Sequence, residues 1–325
     1  MLLLGLGTIG LLALLIAIAT AAIVLSGATE VGLIRDRVQA KLEQKLGPAF
    51  EVTVAGAAVS TDPELGLVVD LRGIELAERD GGINVSFPAT RLAVDPLAFL
   101  GFGSLVTKAE ISEPRIQLTR RPDGGFGLRS FGQAGGSRVE APYRSAGGFP
   151  ELSVGAAGLD QAITEILADN EDLQLVVTQG AIELRDPAAP TTRISEIDVR
   201  AAADGPMGGI SVDLSARGRS GPWTASLGRQ VEAATGQRIL SVEFAQITLG
   251  DLRDWFGGAP MAASADIPLY GAAEIALAAN GTIENAVARL DLGAGVISFG
   301  GSEEAVLLDE ASIRARWDNS RSAIV

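Results

Sequence analysis

The sequence predicts a mostly β protein, with a transmembrane helix at the N-terminus, then an antiparallel sheet and a few short amphipathic helices. Three observations point there. Residues 2–25 form an uncharged apolar run. From residue 50 onward apolar and polar residues alternate with period two, the pattern of a half-buried strand. Glycine is abundant, at 40 residues, while aromatics are only 5%, which suits many strands joined by tight turns.

The apolar run is the anchor, assigned to residues 1–27. Between Leu2 and Leu25 only Thr8 and Thr20 interrupt it. At ~1.5 Å per residue it reaches roughly 36 Å, enough to cross a hydrocarbon core of ~30 Å with some tilt. Gly5, Gly7 and Gly10 share the spacing of a dinucleotide-binding turn, with Glu30 downstream where a ribose-binding acid would lie. A helix of that kind needs a polar face, and this segment has none. A cleaved signal peptide is the closer rival, with small residues in "LSGATE" (25–30). Its apolar core is normally ~7–15 residues, so the greater length here favours an uncleaved anchor. Arg35, Arg37, Lys41 and Lys45 follow the span and no basic residue precedes it. Counted naively, that places the body in the cytoplasm, but charge alone leaves the orientation open.

Residues 28–131 read as one helix followed by strands. Val31, Ile34, Val38 and Leu42 form one stripe, and Gly47-Pro48 ends the helix. Strands are expected at 50–56, 66–78, 90–95 and within 104–125, with a helical turn at 96–102. In 66–78, Leu67, Val69 and Leu71 oppose Asp70 and Arg72, and Ile74 and Leu76 resume after Gly73. Leu105 and Ile111 oppose Lys108 and Glu110; Ile116 and Leu118 oppose Arg115 and Gln117. One apolar and one polar face per strand marks an antiparallel sheet wet on one side. Pro114 belongs at a strand start or an edge.

Residues 132–151, rich in Gly, Ser and Pro, read as a flexible loop or linker. Over 152–325, Leu159, Ala162, Ile163, Ile166 and Leu167 define a short helix. Strands follow at 173–185, 193–202, 210–217, 222–228, 238–249, 272–279, 283–292, 295–299 and 306–317. Asn280-Gly281 predicts a type I′ hairpin turn, and 247–258 a helical turn around Leu252, Trp255 and Phe256.

Composition excludes much chemistry. The chain has no Cys and no His, so disulfides, thiolate or imidazole zinc sites and the usual catalytic triads are impossible. A net charge of −14 argues against nucleic acid or an anionic membrane surface as a partner of the body, because phosphates would be repelled. No nucleophile elbow, Walker loop or calcium loop is present. Asp70, Asp80, Glu110, Asp123 and Asp186 fall on polar strand faces or in turns, where solvated charge is the ordinary explanation. Composition leaves an anchored two-carboxylate hydrolase open as a distant reading; the expected one is a non-enzyme without cofactor or metal.

Residues 85–128, "VSFPATRLAVDPLAFLGFGSLVTKAEISEPRIQLTRRPDGGFGL", resemble the N-terminal region of the AsmA-like family of bacterial envelope proteins related to YhdP and TamB. The matching positions are Arg91 to Asp95, Leu97 to Leu100, Ile111, Pro114, Ile116, Leu118, Arg120, Asp123 and Gly124. "GAIELRD" (180–186) and "EFAQITLGDL" (243–252) are similar to later portions of such proteins. The resemblance implies a single-pass inner-membrane anchor, a periplasmic body and a curved, taco-like β-groove conducting phospholipid towards the outer membrane. It also implies a partial, N-terminal chain of a longer protein. An apolar sheet face unfilled by large aromatics would shelter acyl chains. Its candidate lining is Val69, Leu71, Leu105, Ile116, Leu118, Ile182 and Leu184. Expected partners are phospholipid acyl chains, the inner membrane through residues 2–25, and an outer-membrane or envelope protein. The alternative is a periplasmic scaffold that aids outer-membrane biogenesis without conducting lipid.

Overall fold

A computed structural model describes residues 31–79, 81–95, 106–120, 160–161, 163–164, 172–186, 189–204, 208–256, 263–265, 267–299, 305–318 and 323–324. The expected anchor (2–25), the helical turn at 96–102 and the 132–151 segment lie outside these residues. Among the described residues no helix is long and apolar enough to cross a membrane.

The protein is mostly β, and its strands pair mainly antiparallel within a mixed arrangement. The chain forms two compact units, dividing between Ala203 and Asp204; Pro142–Thr164 groups with the second.

The first unit opens with helix α1 (Val31–Leu46), closed at Gly47, whose N–H donates to the Glu43 carbonyl. Strands β1 (Phe50–Asp62), β2 (Gly66–Glu78) and β3 (Ile83–Val94) form an antiparallel meander. Next to β3 lie β4 (Val106–Ser112) and β5 (Arg115–Thr119), two halves of one strand line broken at Glu113-Pro114. Pro114 thus stands immediately before a strand, as its missing N–H requires. Then come β6 (Gln174–Asp186) and β7 (Ala189–Asp204).

The purely antiparallel expectation is corrected here: β6 runs parallel to both β4 and β5. A tight turn can only join antiparallel neighbours, whereas the long 120–173 connection lets the chain cross over and return in the same direction.

A line of breaks crosses this sheet. Gly73 (φ 57°), Glu113 (φ 52°), Gln179 (φ 56°) and Glu196 (φ 51°) have left-handed backbone. They occur at one level of the strand register. On one side of the line the buried residues are Phe50, Val52 and Val54, Ile74 and Leu76, and Val85 and Phe87. On the other side the phase shifts by one, to Ala57, Val69 and Leu71, and Leu92 and Val94, while Val68 and Ala93 are buried on the opposite face. Such irregularities bend a strand and increase its twist while re-aiming side chains. Here they keep apolar groups on one face: Leu71 and Ile74, from opposite sides of the line, line the same small cavity under Val38 and Leu42 of α1.

The second unit has the order β8 (Gly209–Arg217), β9 (Pro222–Val231), β10 (Arg238–Thr248), β12 (Pro268–Leu277), β13 (Ile283–Leu292), β16 (Ala311–Asp318) and β17 (Ala323–Ile324). A separate three-stranded sheet holds β11 (Ala263–Ala265), β14 (Gly295–Phe299) and β15 (Ala305–Leu308). The single strand expected at 306–317 is therefore two, split at Asp309-Glu310 and paired in different sheets. Helix α2 (Leu249–Phe256) follows β10 directly.

The 280–281 turn is also corrected. Only Gly281 has positive φ (85°). Gly281 N–H donates to the Ala278 carbonyl at 2.9 Å, and Ala278 N–H to the Thr282 carbonyl at 2.9 Å. That is a three-residue loop with a left-handed glycine. Asn280 escapes the left-handed region and instead accepts from Thr282 N–H at 3.0 Å.

Candidate apolar face

Strand phase and register together define one apolar face in each unit. In the first, Ile116 and Leu118 of β5 lie beside Ile182 and Leu184 of β6. Val69 and Leu71 of β2 form a second block across the line of breaks, beside Leu92 and Thr90 of β3. The structure thus brings the seven candidates into two groups, except Leu105, which lies outside the described residues. Val69, Leu71, Ile116, Leu118 and Leu184 are buried, and Ile182 is half-buried. Leu71 faces Val38 and Leu42 of α1 across the small cavity, so the helix covers this part of the face.

The second unit differs. Its face runs through Val212 and Leu214, then Ala225 and Leu227, Val242 and Phe244, Ala273 and Ile275, Ala288 and Leu290, and Ile313. Exposure rises along that row. Val212 and Leu227 are buried; Val242, Phe244, Ala273, Ile275, Ala288 and Leu290 are half-buried; Ile313 is 57% exposed. Phe244 lies over Gly271, where a Cβ would overlap its ring.

Each end of this row is built differently. At one end Ile267 and Leu269 gather Leu249 and Leu252 of α2, Leu308 of β15, Leu292 of β13, and Phe244 and Leu290 of the row itself. Thr248 caps α2: its Oγ1 accepts from Asp251 N–H at 3.1 Å and donates to Asp251 Oδ2 at 2.9 Å. Buried Asp251 also accepts from Arg219 N–H at 3.0 Å, tying the helix to the β8–β9 turn.

At the other end Arg229 and Arg238 stand in phase with Leu227 and Leu240, on the apolar face. Between them sits Asp160, in a short helical segment that includes Ile163 and Thr164. Arg229 Nε donates to Asp160 Oδ1 at 2.8 Å, and Arg238 Nη1 lies 2.8 Å from Oδ2. Arg229 also donates to Thr164 Oγ1 at 3.0 Å and to the Gly208 carbonyl.

The opposite, polar face of the first unit carries a solvated charge network. Arg91 reaches Asp62 (3.0 Å), Asp70 (3.2 Å) and Glu110 (3.8 Å), and Lys108 meets Glu110 at 2.7 Å. The Glu64 and Leu65 backbone N–H groups, then the Arg91 guanidinium, hold the Asp62 carboxyl below its ordinary value. Asp186 lies instead in phase with Leu184, at the end of the apolar face, where it pairs with Arg120 at 3.2 Å. Asp80 and Asp123 lie outside the described residues. No cluster among the described residues could hold a metal ion.

The Asp160–Arg229–Arg238 group escaped the sequence reading, although a signal was present. Arg229 and Arg238 each stand where an alternating strand should place an apolar residue. Comparisons with protein-family models, with curated proteins and with solved structures find no match.

Proposed function

We propose that this chain is an AsmA-like protein anchored in a bacterial inner membrane, whose periplasmic body binds phospholipid acyl chains on its apolar β-face. In this reading the faces form a curved groove that conducts lipid between the inner and outer membranes. The half-buried row in the second unit is the observation that carries it: Val242, Phe244, Ile275 and Leu290 leave apolar area that a hydrocarbon tail can cover. Each CH₂ transferred there from water gains roughly 0.8 kcal/mol, so a pair of acyl chains would be firmly retained. The polar faces and net negative charge keep the outside in water. The uncharged span at 2–25 and the resemblance at 85–128 are the sequence support.

One observation favours a second reading, a scaffold that conducts no lipid. Val69, Leu71, Leu118 and Leu184 are already buried, and α1 covers Leu71. A face closed in this way is an ordinary core.

Photo-crosslinking residues at Phe244, Ile275 and Ile182 of the full chain separate the two in cells. Lipid conduction predicts phospholipid adducts by mass spectrometry at Phe244 and Ile275. Adducts to protein alone at all three positions would leave the scaffold reading.

A further inference from the structure

Arg229 and Arg238 are two guanidinium groups on an apolar sheet face, and among the described residues they touch one carboxylate, Asp160. The group therefore carries one positive charge in excess. Arg229 and Asp160 side chains are each 6% exposed, and Arg238 is 19% exposed. An uncompensated charge so placed is costly unless other acceptors meet it. Arg238 Nη2 donates to the Ala278 and Ala279 carbonyls at 2.8 and 3.1 Å. Its Nε is buried and donates to no described acceptor. Cation in excess, with an unspent N–H, is the recognition chemistry of an anion that offers several oxygens.

The apolar surroundings specify what that anion is attached to. Arg238 begins a strand in which Leu240, Val242 and Phe244 follow on the same face, and Arg229 opposes Leu240 in the register. An anionic head held by the arginines would lay its tail past Leu240, which is buried, onto the half-buried Val242, Phe244 and Ile275.

We propose that Arg229 and Arg238 form a headgroup site for an anionic phospholipid, and that Asp160 is an internal stand-in for its phosphate. This rests on the lipid-binding reading above and adds to it a ligand charge and a competitor. The Asp160 carboxylate occupies the space between the two guanidinium groups in the absence of lipid. A phosphodiester displaces it, and removing the Asp160 charge strengthens lipid binding.

The test uses the full chain in detergent and measures retention of radiolabelled phosphatidylglycerol, of diacylglycerol with the same tails, and of inorganic phosphate. The wild type retains phosphatidylglycerol in preference to diacylglycerol. Asp160→Asn raises phosphatidylglycerol retention about tenfold, the low end for a charge-assisted contact, and leaves diacylglycerol unchanged. Arg238→Gln removes the preference and keeps diacylglycerol retention. Arg238 is at the rim, so this variant carries the test alone if Asp160→Asn fails to fold. Equal retention of both lipids by every variant overturns the headgroup site and leaves the apolar groove standing. Retention of neither lipid overturns both. Inorganic phosphate bound as tightly as phosphatidylglycerol shows a free-anion site and overturns the lipid assignment.

Discussion

Gly73 holds a backbone conformation that a side chain resists, at the point where β2 changes phase. Its φ is 57°, and a Cβ there would lie 2.8 Å from Ala55 Cβ. Gly73→Val is expected to lower unfolding free energy in urea by about 2 kcal/mol or more, from left-handed strain and the clash. Gly56→Ala, in open space on neighbouring β1, should stay within about 0.5 kcal/mol. This break was readable beforehand, because Leu67, Val69 and Leu71 give way to Ile74 and Leu76 with a glycine between them. Glu113, Gln179 and Glu196 do the same without a glycine, so composition hid three members of the line. Asp62 gives a second prediction. Its lowered pKa means that its stabilisation is complete above the unfolded value near ~3.9 and disappears as pH falls through the folded value. Asp62→Asn should therefore flatten the acid limb of the stability curve below about pH 4 and leave neutral-pH behaviour without that pH dependence. An unchanged acid limb in a pH series of thermal melts would contradict the assignment.

Elements were the most legible scale. The amphipathic stripe and Gly47-Pro48 bound α1, and β2 occupies the residues its alternation marks. Parallel pairing of β6 was not legible, since strand alternation is the same for either neighbour direction and only the long crossover decides. The 306–317 split showed only in Asp309-Glu310, two adjacent charges that a continuous strand would send to opposite faces. The site was less legible than the fold. Five of the seven candidates fall where the chain is closed, while the more open row around Phe244 and Ile275 looked like any other strand. Helix α2 shows how one end of that row is held. Thr248 is its N-cap: the Oγ1 accepts from Asp251 N–H and donates to the buried Asp251 carboxylate, which also accepts from Arg219 N–H. Thr248→Ala should cost about 1 kcal/mol in urea unfolding, and Asp251→Ala about 2 kcal/mol, because a charge-assisted bond is lost as well. Equal small effects would mean that α2 is held by Leu249 and Leu252 alone.

For the whole molecule, two compact units present apolar faces of unequal openness. In the first, α1 covers the part around Leu71, and the second grades from buried Val212 to exposed Ile313. On the proposed function that gradient is what lets the second face take a tail, because only surface still open to water gains free energy when a tail covers it. The most direct measurement places a phospholipid with a nitrobenzoxadiazole group on its acyl tail in contact with the purified full chain, then adds dithionite. The proposed function predicts that the tail is protected by the wild type and quenched with Phe244→Glu, which puts a charge in the middle of the row. Rapid quenching with the wild type, or equal protection by both, would contradict it.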